Sequence, residues 1–450
     1  MKTTKILALI LAVLMTVGCL AACTNGGGDT NGTTAPQGAV DATKLAIDWN
    51  DPASIAAWNE TVKSEATNGV ITLKLWGPDA AQDVFKAEAE AFAELFKDAA
   101  EIKIEVAVQG EGDAAAQVAT DPKAAADVFS FPSDQLNKLV NTNSILSLDA
   151  FANDIKAMNS ESSVNAATLN DKIWAFPEVG DNSYFLAYDK RVVSADQAKS
   201  FEAILEACKT ADKKFIMNAG DGFFACMYLY TGGLETLGLE DDGITQKLND
   251  YDVDKVTASV KAFADLFRTY KNTFESGDTK LVADGFKNDP TTVGAGVVGS
   301  WNVASVKSAL GDNAGFAILP TINIDGTDTQ IINMFGYKYL GVNSQSATPF
   351  TAQLLASYMT NEACQLERAE QLEWGPANTN AANSDFVKNN ESMSAILAQA
   401  QYSMPQTGIA TTFWNPIGGL GTYMVDAKSD LSTEALKVQV EACISGILDE

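Results

Sequence analysis

Histidine is missing altogether from the 450 residues. Its absence removes Ser-His-Asp and Cys-His catalysis, and with them every His-based zinc or iron site. Cations are scarce too: 31 Lys and Arg stand against 58 Asp and Glu. Such a surface repels nucleic-acid phosphates and anionic lipid headgroups, so no nucleic-acid partner is expected. Cysteines are few, at positions 19, 23, 208, 226, 364 and 443, and none stands in CxxC spacing. That leaves no metal ribbon or redox motif, and neither a metal nor a cofactor is expected. Cys208, Cys226, Cys364 and Cys443 lie in apolar or helical contexts and read as buried free thiols, with a Cys208–Cys226 bridge as the alternative.

No stretch is long and apolar enough to cross a bilayer. The apolar run of residues 6–17 follows Lys2 and Lys5 and is too short and wrongly flanked for a span. It reads as a secretion signal, residues 1–22, cut before the mature chain. Leu20-Ala21-Ala22-Cys23 resembles a lipobox, in which Cys23 takes a diacylglycerol anchor. An ordinary signal peptide with an incidental Cys23 is the alternative. Residues 24–38 hold no apolar side chain larger than Ala or Pro, so they cannot offset the entropy of ordering. A linker of residues 23–40 is therefore expected, with a reach on the order of 20 Å.

The remaining body of about 410 residues exceeds one ordinary hydrophobic core, so two lobes are expected. Residues 41–67 read as a helical extension with Trp49, Ile55, Trp58 and Val62 on one face. Residues 70–76 alternate as a strand and end at Gly77-Pro78. Phe85, Ala89, Phe92 and Phe96 recur at helical spacing. Residues 102–108 and 127–131 form further strands around an Ala-rich helix, which is the signature of a parallel α/β layer. Residues 173–177 and 184–188 read as two short apolar runs with polar residues between them. Val256, Val260, Phe263, Phe267 and Tyr270 predict a long helix, residues 293–298, 314–319 and 331–342 predict strands, and the last 65 or so residues are mostly helical. The fold class is α/β.

Aromatic residues stand where strands end or loops begin: Trp76, Phe131, Phe223, Phe224, Trp301, Trp374 and Trp414. Ligands of open α/β sheets bind beyond the carboxyl ends of strands. Acids and an amide recur nearby, at Asp79, Asp134, Asp181, Asn182 and Asp221. Aromatic faces beside carboxylates suit sugars, whose C–H faces stack on rings while their hydroxyls donate to acids. Singly each residue has a plainer reading: a lone Trp is more often core, and a loop Asp such as Asp134 is more often a helix cap.

Several segments resemble the maltodextrin-binding proteins of bacterial ABC importers. They are Val-Val-Gly-Ser-Trp-Asn at 297–302, followed by Gly-Phe-Ala-Ile-Leu-Pro-Thr at 315–321. Met404-Pro405 leads on to Thr412-Phe413-Trp414. Trp-Gly-Pro-Ala-Asn stands at 374–378, and Asp221-Gly222-Phe223-Phe224 leads to Gly232-Gly233. The likeness covers roughly residues 68–445. It implies a two-lobed periplasmic-binding-protein-like fold with a hinge crossed several times. The first lobe would hold 68–178 and 336–380, the second 183–332 and 386–450.

The resemblance also implies that Trp301 and Trp414 are ring platforms for glucosyl units. Phe223 and Phe224 would line the same groove, with Asp221 as an acceptor. Phe131 would be a further stacking position with Asp134 just after it, and Asp79 a polar contact. The acid of the crossing segment falls at Asp181 or Asn182. Departures are Phe131 where a Trp is common, Gln135 where an Arg is common and Ala80 where a Lys is common.

The function so implied is capture of maltooligosaccharides by a monomeric lipoprotein on the outer face of a Gram-positive-type cell membrane. Its partner would be the permease subunits of an ABC importer. A carrier for a different solute, a carboxylate-based glycoside hydrolase and a purely structural surface lipoprotein are the alternatives. No recognisable hydrolase motif accompanies the acids.

Overall fold

A computed structural model of the protein describes residues 45–448, residue 289 excepted. The expected signal of residues 1–22, the lipidation site Cys23 and the linker of 23–40 lie outside the described residues. No helix among the described residues is long and apolar enough to cross a membrane.

Two short helices, Pro52–Ala56 and Asn59–Glu65, come first. They bury Ile55 and Val62, while Trp49, in a turn before them, and Trp58, between them, pack against the core that follows; residues 45–51 of the expected helical extension are not helical. Strand β1, Val70–Gly77, turns Ile71, Leu73 and Leu75 inward and leaves Thr72 and Lys74 exposed, as its alternation predicts. Helix α1, Gln82–Leu95, buries Phe85, Ala89 and Phe92 on the face their spacing defines. Strand β2, Glu101–Val108, pairs parallel with β1, Val70 opposite Glu101. Helix α2, Glu111–Thr120, leads to β3, Val128–Pro132, parallel to β1 on its other side.

Strand β4 is the largest departure from expectation. It runs unbroken over Ala175–Asp189, 15 residues, where two short runs were expected. The polar residues between those runs stay in the strand because each finds a buried partner. Glu178 pairs with Arg368 at 3.0 Å. Asp181 accepts from the Gly375 N–H at 2.9 Å. Asn182 donates to Gln406 at 2.6 Å, and Ser183 Oγ to the Met334 carbonyl at 2.7 Å. Burying these groups unpaired would cost a few kcal/mol each.

The remaining strands of the main sheet are β5 Lys214–Met217, β6 Phe274–Ser276, β7 Val293–Gly299, β8 Ala314–Ala317, β9 Asn333–Val342 and β10 Ser403–Pro405. Their order is β6-β5-β7-β4-β9-β3-β1-β2, with β8 also on β4 and β10 also on β9. The first half of β4 pairs antiparallel with β9, the second half with β7 and β8. One strand thus belongs to two layers, each with its own core. The first core gathers Leu73, Phe92, Phe129, Phe176, Tyr339 and Leu355. The second gathers Tyr184, Phe215, Phe263, Ile417 and Ile444. Within β4 the period of two is plain: Tyr184, Leu186 and Tyr188 face the second core, while Phe185 and Ala187 face a smaller cluster behind it with Phe286 and Phe316.

Four more helices matter below: α3 Gly222–Ala225, α4 Val253–Thr269, α5 Glu362–Leu372 and α6 Trp414–Val425. Helix α4 buries Val256, Val260, Phe263 and Phe267 as predicted. Cys208, Cys226, Cys364 and Cys443 are buried and free, and burial pushes the Cys208 and Cys226 thiols up to about 12.

Candidate ligand site

Strand β7 ends at Gly299, and the turn that follows places Trp301. Asn302 Oδ1 accepts the Gly299 N–H at 3.2 Å and tightens the turn. A Cβ at Gly299 would collide with the Trp301 ring, so glycine is what lets the indole fold back over its own strand end. Asp221 caps α3 by accepting the Phe223 N–H at 2.9 Å, which sets the Phe223-Phe224 pair. A Cβ at Gly222 would meet the Trp414 backbone, so this glycine lets α6 come close enough to bring Trp414 beside Phe223.

The rings assemble as a cluster. Phe223 lies 6.1 Å from Trp301 and 6.4 Å from Trp414, centroid to centroid. Phe224 is 6.3 Å from Trp301. Tyr184 of β4 packs on both phenylalanines at 5.1 and 4.9 Å, and its hydroxyl donates to the Phe224 carbonyl at 3.1 Å. Phe224 and Tyr184 are buried, whereas Phe223, Trp301 and Trp414 stay half-buried, with ring surface open.

A second, polar group draws on β3, β4 and the segment after β10. Gln406 is its centre. Its side-chain amide donates to Asp134 Oδ1 at 2.9 Å and its Oε1 accepts from Asn182 Nδ2 at 2.6 Å. Ser133 Oγ donates to the Gln406 carbonyl at 2.8 Å. Asp134 does not cap the helix after it. Desolvation raises Asp134 to about 7. Burial likewise raises Asp181 to about 6, against the pull of the Gly375 N–H, the Lys338 ammonium and the Ser300 hydroxyl. Asp181 Oδ1 is buried without a partner among the described residues.

A chain of buried charge reaches the rings from behind. Arg368 of α5 lies between Glu88 at 3.4 Å and Glu178 at 3.0 Å. Ser130 Oγ is 2.6 Å from Glu178 and 2.8 Å from Glu111. One hydroxyl has one proton to give, so the two carboxylates share it, and burial raises Glu178. Glu111 pairs with Lys338 of β9 at 2.6 Å. The Lys338 ammonium lies over both Trp301 and Trp374, 5.1 and 5.2 Å from their centroids.

Not every expected residue arrives. Phe131 is fully buried, 5.6 Å from Phe129 and 5.8 Å from Tyr339. Its ring is committed to the first core, because β3 turns Phe129 and Phe131 inward together. Trp76 is half-buried against that same core, and Asp79 is exposed in the turn after β1. Trp374 is buried and meets the cluster through Lys338. Lys338 and Gln406 were not expected. A lone Lys between Tyr337 and Tyr339 reads as a solvated strand face, and a Gln after Met404-Pro405 carries no signal of its own. A surface concavity of about 390 Å³, lined by Arg191, Gln197, Glu206 and neighbours, holds none of the expected residues.

Residues 87–395 match the family model of bacterial extracellular solute-binding proteins. The chain belongs to that family. A solute-binding protein of this kind works on the outer side of the membrane. No curated protein matches the sequence, but solved structures do. One, described as a complex with acarbose, is 28% identical with a TM-score of 0.75 over 85% of this chain and 99% of that one. The maltodextrin-binding protein MalE1 from L. casei BL23 is 22% identical with a TM-score of 0.69, over 85% and 100% of the two chains. The Thermus thermophilus maltotriose-binding protein, bound with maltotriose, is 17% identical with a TM-score of 0.69, over 83% and 100%. The solute-binding protein shares their two-lobed fold.

The close approach at Gly222 gives the site a test. Alanine in a helix gains up to about 1 kcal/mol over glycine, but here its methyl meets the Trp414 backbone, which cannot rotate away as a side chain would. Overpacking of this kind costs about 1–3 kcal/mol. Gly222→Ala is expected to lower the urea midpoint and change indole emission, and an unchanged midpoint would show that α6 can shift freely.

Proposed function

We propose that this protein captures maltooligosaccharides, α-1,4-linked glucans, and presents them to the permease subunits of an ABC importer. It is a monomeric carrier, not an enzyme, held through a lipid on Cys23 to the outer face of a Gram-positive-type cell membrane. One observation carries the sugar reading: Trp301, Trp414 and Phe223 form one half-open aromatic cluster. The amides and carboxylates of Asn182, Gln406, Asp134 and Asp181 suit the hydroxyls of the same ligand. The acarbose and maltotriose complexes among the solved relatives support it. Asp221 is spent on its cap but keeps an exposed carboxylate for a hydroxyl, as does Asp79.

In this reading the lobes are residues 68–178 with 336–380 and 183–332 with 386–450. They close about hinges near 179–183, 332–336 and 380–386, as periplasmic binding proteins do. Ligand binds the closed state better and shifts the population toward it.

The test is calorimetric titration of the whole chain with maltotriose, in a detergent that carries no sugar headgroup. Micromolar or tighter binding is expected in the parent. Trp301→Ala and Trp414→Ala should each weaken it at least about tenfold, or about 1.4 kcal/mol. No heat with maltotriose would reject the α-glucan assignment in favour of a different oligosaccharide. Shortening of the maltooligosaccharide during the titration would reject the carrier reading in favour of a hydrolase.

A further inference from the structure

We propose that Lys338 is a ligand-binding residue of this site, the cationic donor that decides which saccharide hydroxyls are accepted; this rests on the oligosaccharide reading above. Its side chain is 5% exposed, a depth at which an ammonium must be paired. The pairing is incomplete in an informative way. An ammonium has three N–H donors, and among the described residues its one hydrogen-bond acceptor is Glu111 Oε2, at 2.6 Å. Otherwise the charge lies over the rings of Trp301 and Trp374, at 5.1 and 5.2 Å. These are favourable cation–π placements that offer no acceptor atom.

The ammonium therefore carries free donor capacity beside the Trp301 ring, and Asp181, which feels the ammonium's charge, has an Oδ1 without a partner among the described residues. A sugar hydroxyl that donates to a carboxylate keeps lone pairs for a second partner, and a charged donor is the stronger kind. Lys338 is also held in place. Glu111 is tied through Ser130 to Glu178, and Glu178 to Arg368. Glu111 and Lys338 come from the layer of the first core, whereas Trp301 packs on the second. The donor thus stands where a ligand would touch both.

The test compares parent, Lys338→Met and Lys338→Met/Glu111→Gln by titration with maltotriose and its monodeoxy analogues. The double variant removes both partners, so that no carboxylate is left buried alone. Both variants are expected to bind maltotriose at least about tenfold more weakly. The loss should shrink to within about twofold for the analogue that lacks the contacted hydroxyl, a coupling that a merely structural lysine does not produce. Parent-like binding by the variants, or the same loss for every analogue, overturns the proposal. If neither variant folds, Lys338→Arg decides: it keeps the charge and the Glu111 pair, and it should reorder the analogues. An unchanged order overturns the proposal. If the parent binds no maltooligosaccharide, the oligosaccharide reading fails and takes this one with it. If the parent binds and the variants match it, only the role of Lys338 fails.

Discussion

Replacing Arg368 with methionine is expected to destabilise the fold by about 3–5 kcal/mol, among the largest losses a single substitution produces. Arg368 is 1% exposed. Its guanidinium pairs with Glu178 and Glu88, donates to the Met359 carbonyl and lies 5.5 Å from the Phe85 ring centroid. Methionine fills much of the volume but leaves Glu88 and Glu178 buried without a cation, so each must hold an uncompensated charge or stay protonated, and that cost outweighs the lost packing. The triple variant Arg368→Met/Glu88→Gln/Glu178→Gln separates the two effects. Replacing a whole buried ionic group is often near neutral, so it should recover most of the loss in the urea midpoint. A triple variant no better than the single would show that packing, not charge, is what Arg368 contributes.

Stability is expected to fall as pH rises from about 5 to 8.5, and Glu88 is the largest single cause. Desolvation lifts its carboxyl from 4.5 to about 8, with Glu178 and Glu367 adding to the rise and Arg368 opposing it. Below 4.5 the proton is bound in both states and contributes nothing. Between 4.5 and about 8 the unfolded chain has released a proton that the fold retains. Folding then takes up a proton, and stability drops with each step in pH. Above about 8 both states are ionised and the full cost is present, with an upper bound on the order of 5 kcal/mol. Asp134, at about 7, and Asp181, at about 6, act in the same direction. The window is unusually clean, because the chain has no histidine to titrate within it. Urea midpoints at pH 5 and 8.5 should differ in the parent, and in Glu88→Gln the difference should shrink to the share that Asp134 and Asp181 leave. A slope that the substitution leaves unchanged would place its origin elsewhere.

What the sequence reveals is local. Phe85, Ala89 and Phe92 declare their helix face by spacing, and β1 and β2 declare themselves by alternation. Trp301, Trp414, Phe223 and Phe224 are legible as a set, and they do meet. What stays hidden depends on partners far away in the chain. Glu178, Asp181 and Asn182 break an apolar run on paper, yet they continue β4 because Arg368, Gly375 and Gln406 come to them across 190, 194 and 224 residues. Lys338 looks like a surface residue for the same reason, since its burial rests on Glu111, 227 residues earlier. Phe131 fails in the opposite sense: an aromatic at a strand end looks like a platform until Tyr339 and Phe129 close over it.

The sheet order also sets a timetable for making the molecule. Strand β9 lies between β4 and β3, yet it is contributed by Asn333–Val342. A chain that emerges N-terminus first therefore presents β1, β2 and β3 long before the strand that seals them. Until then one side of β3 is an open edge, able to pair wrongly with any passing strand. The N-terminal half cannot finish folding early and wait. Sealing of β3 is deferred until about three-quarters of the polypeptide has appeared, and the second core, which needs Ile417 and Ile444, closes later still.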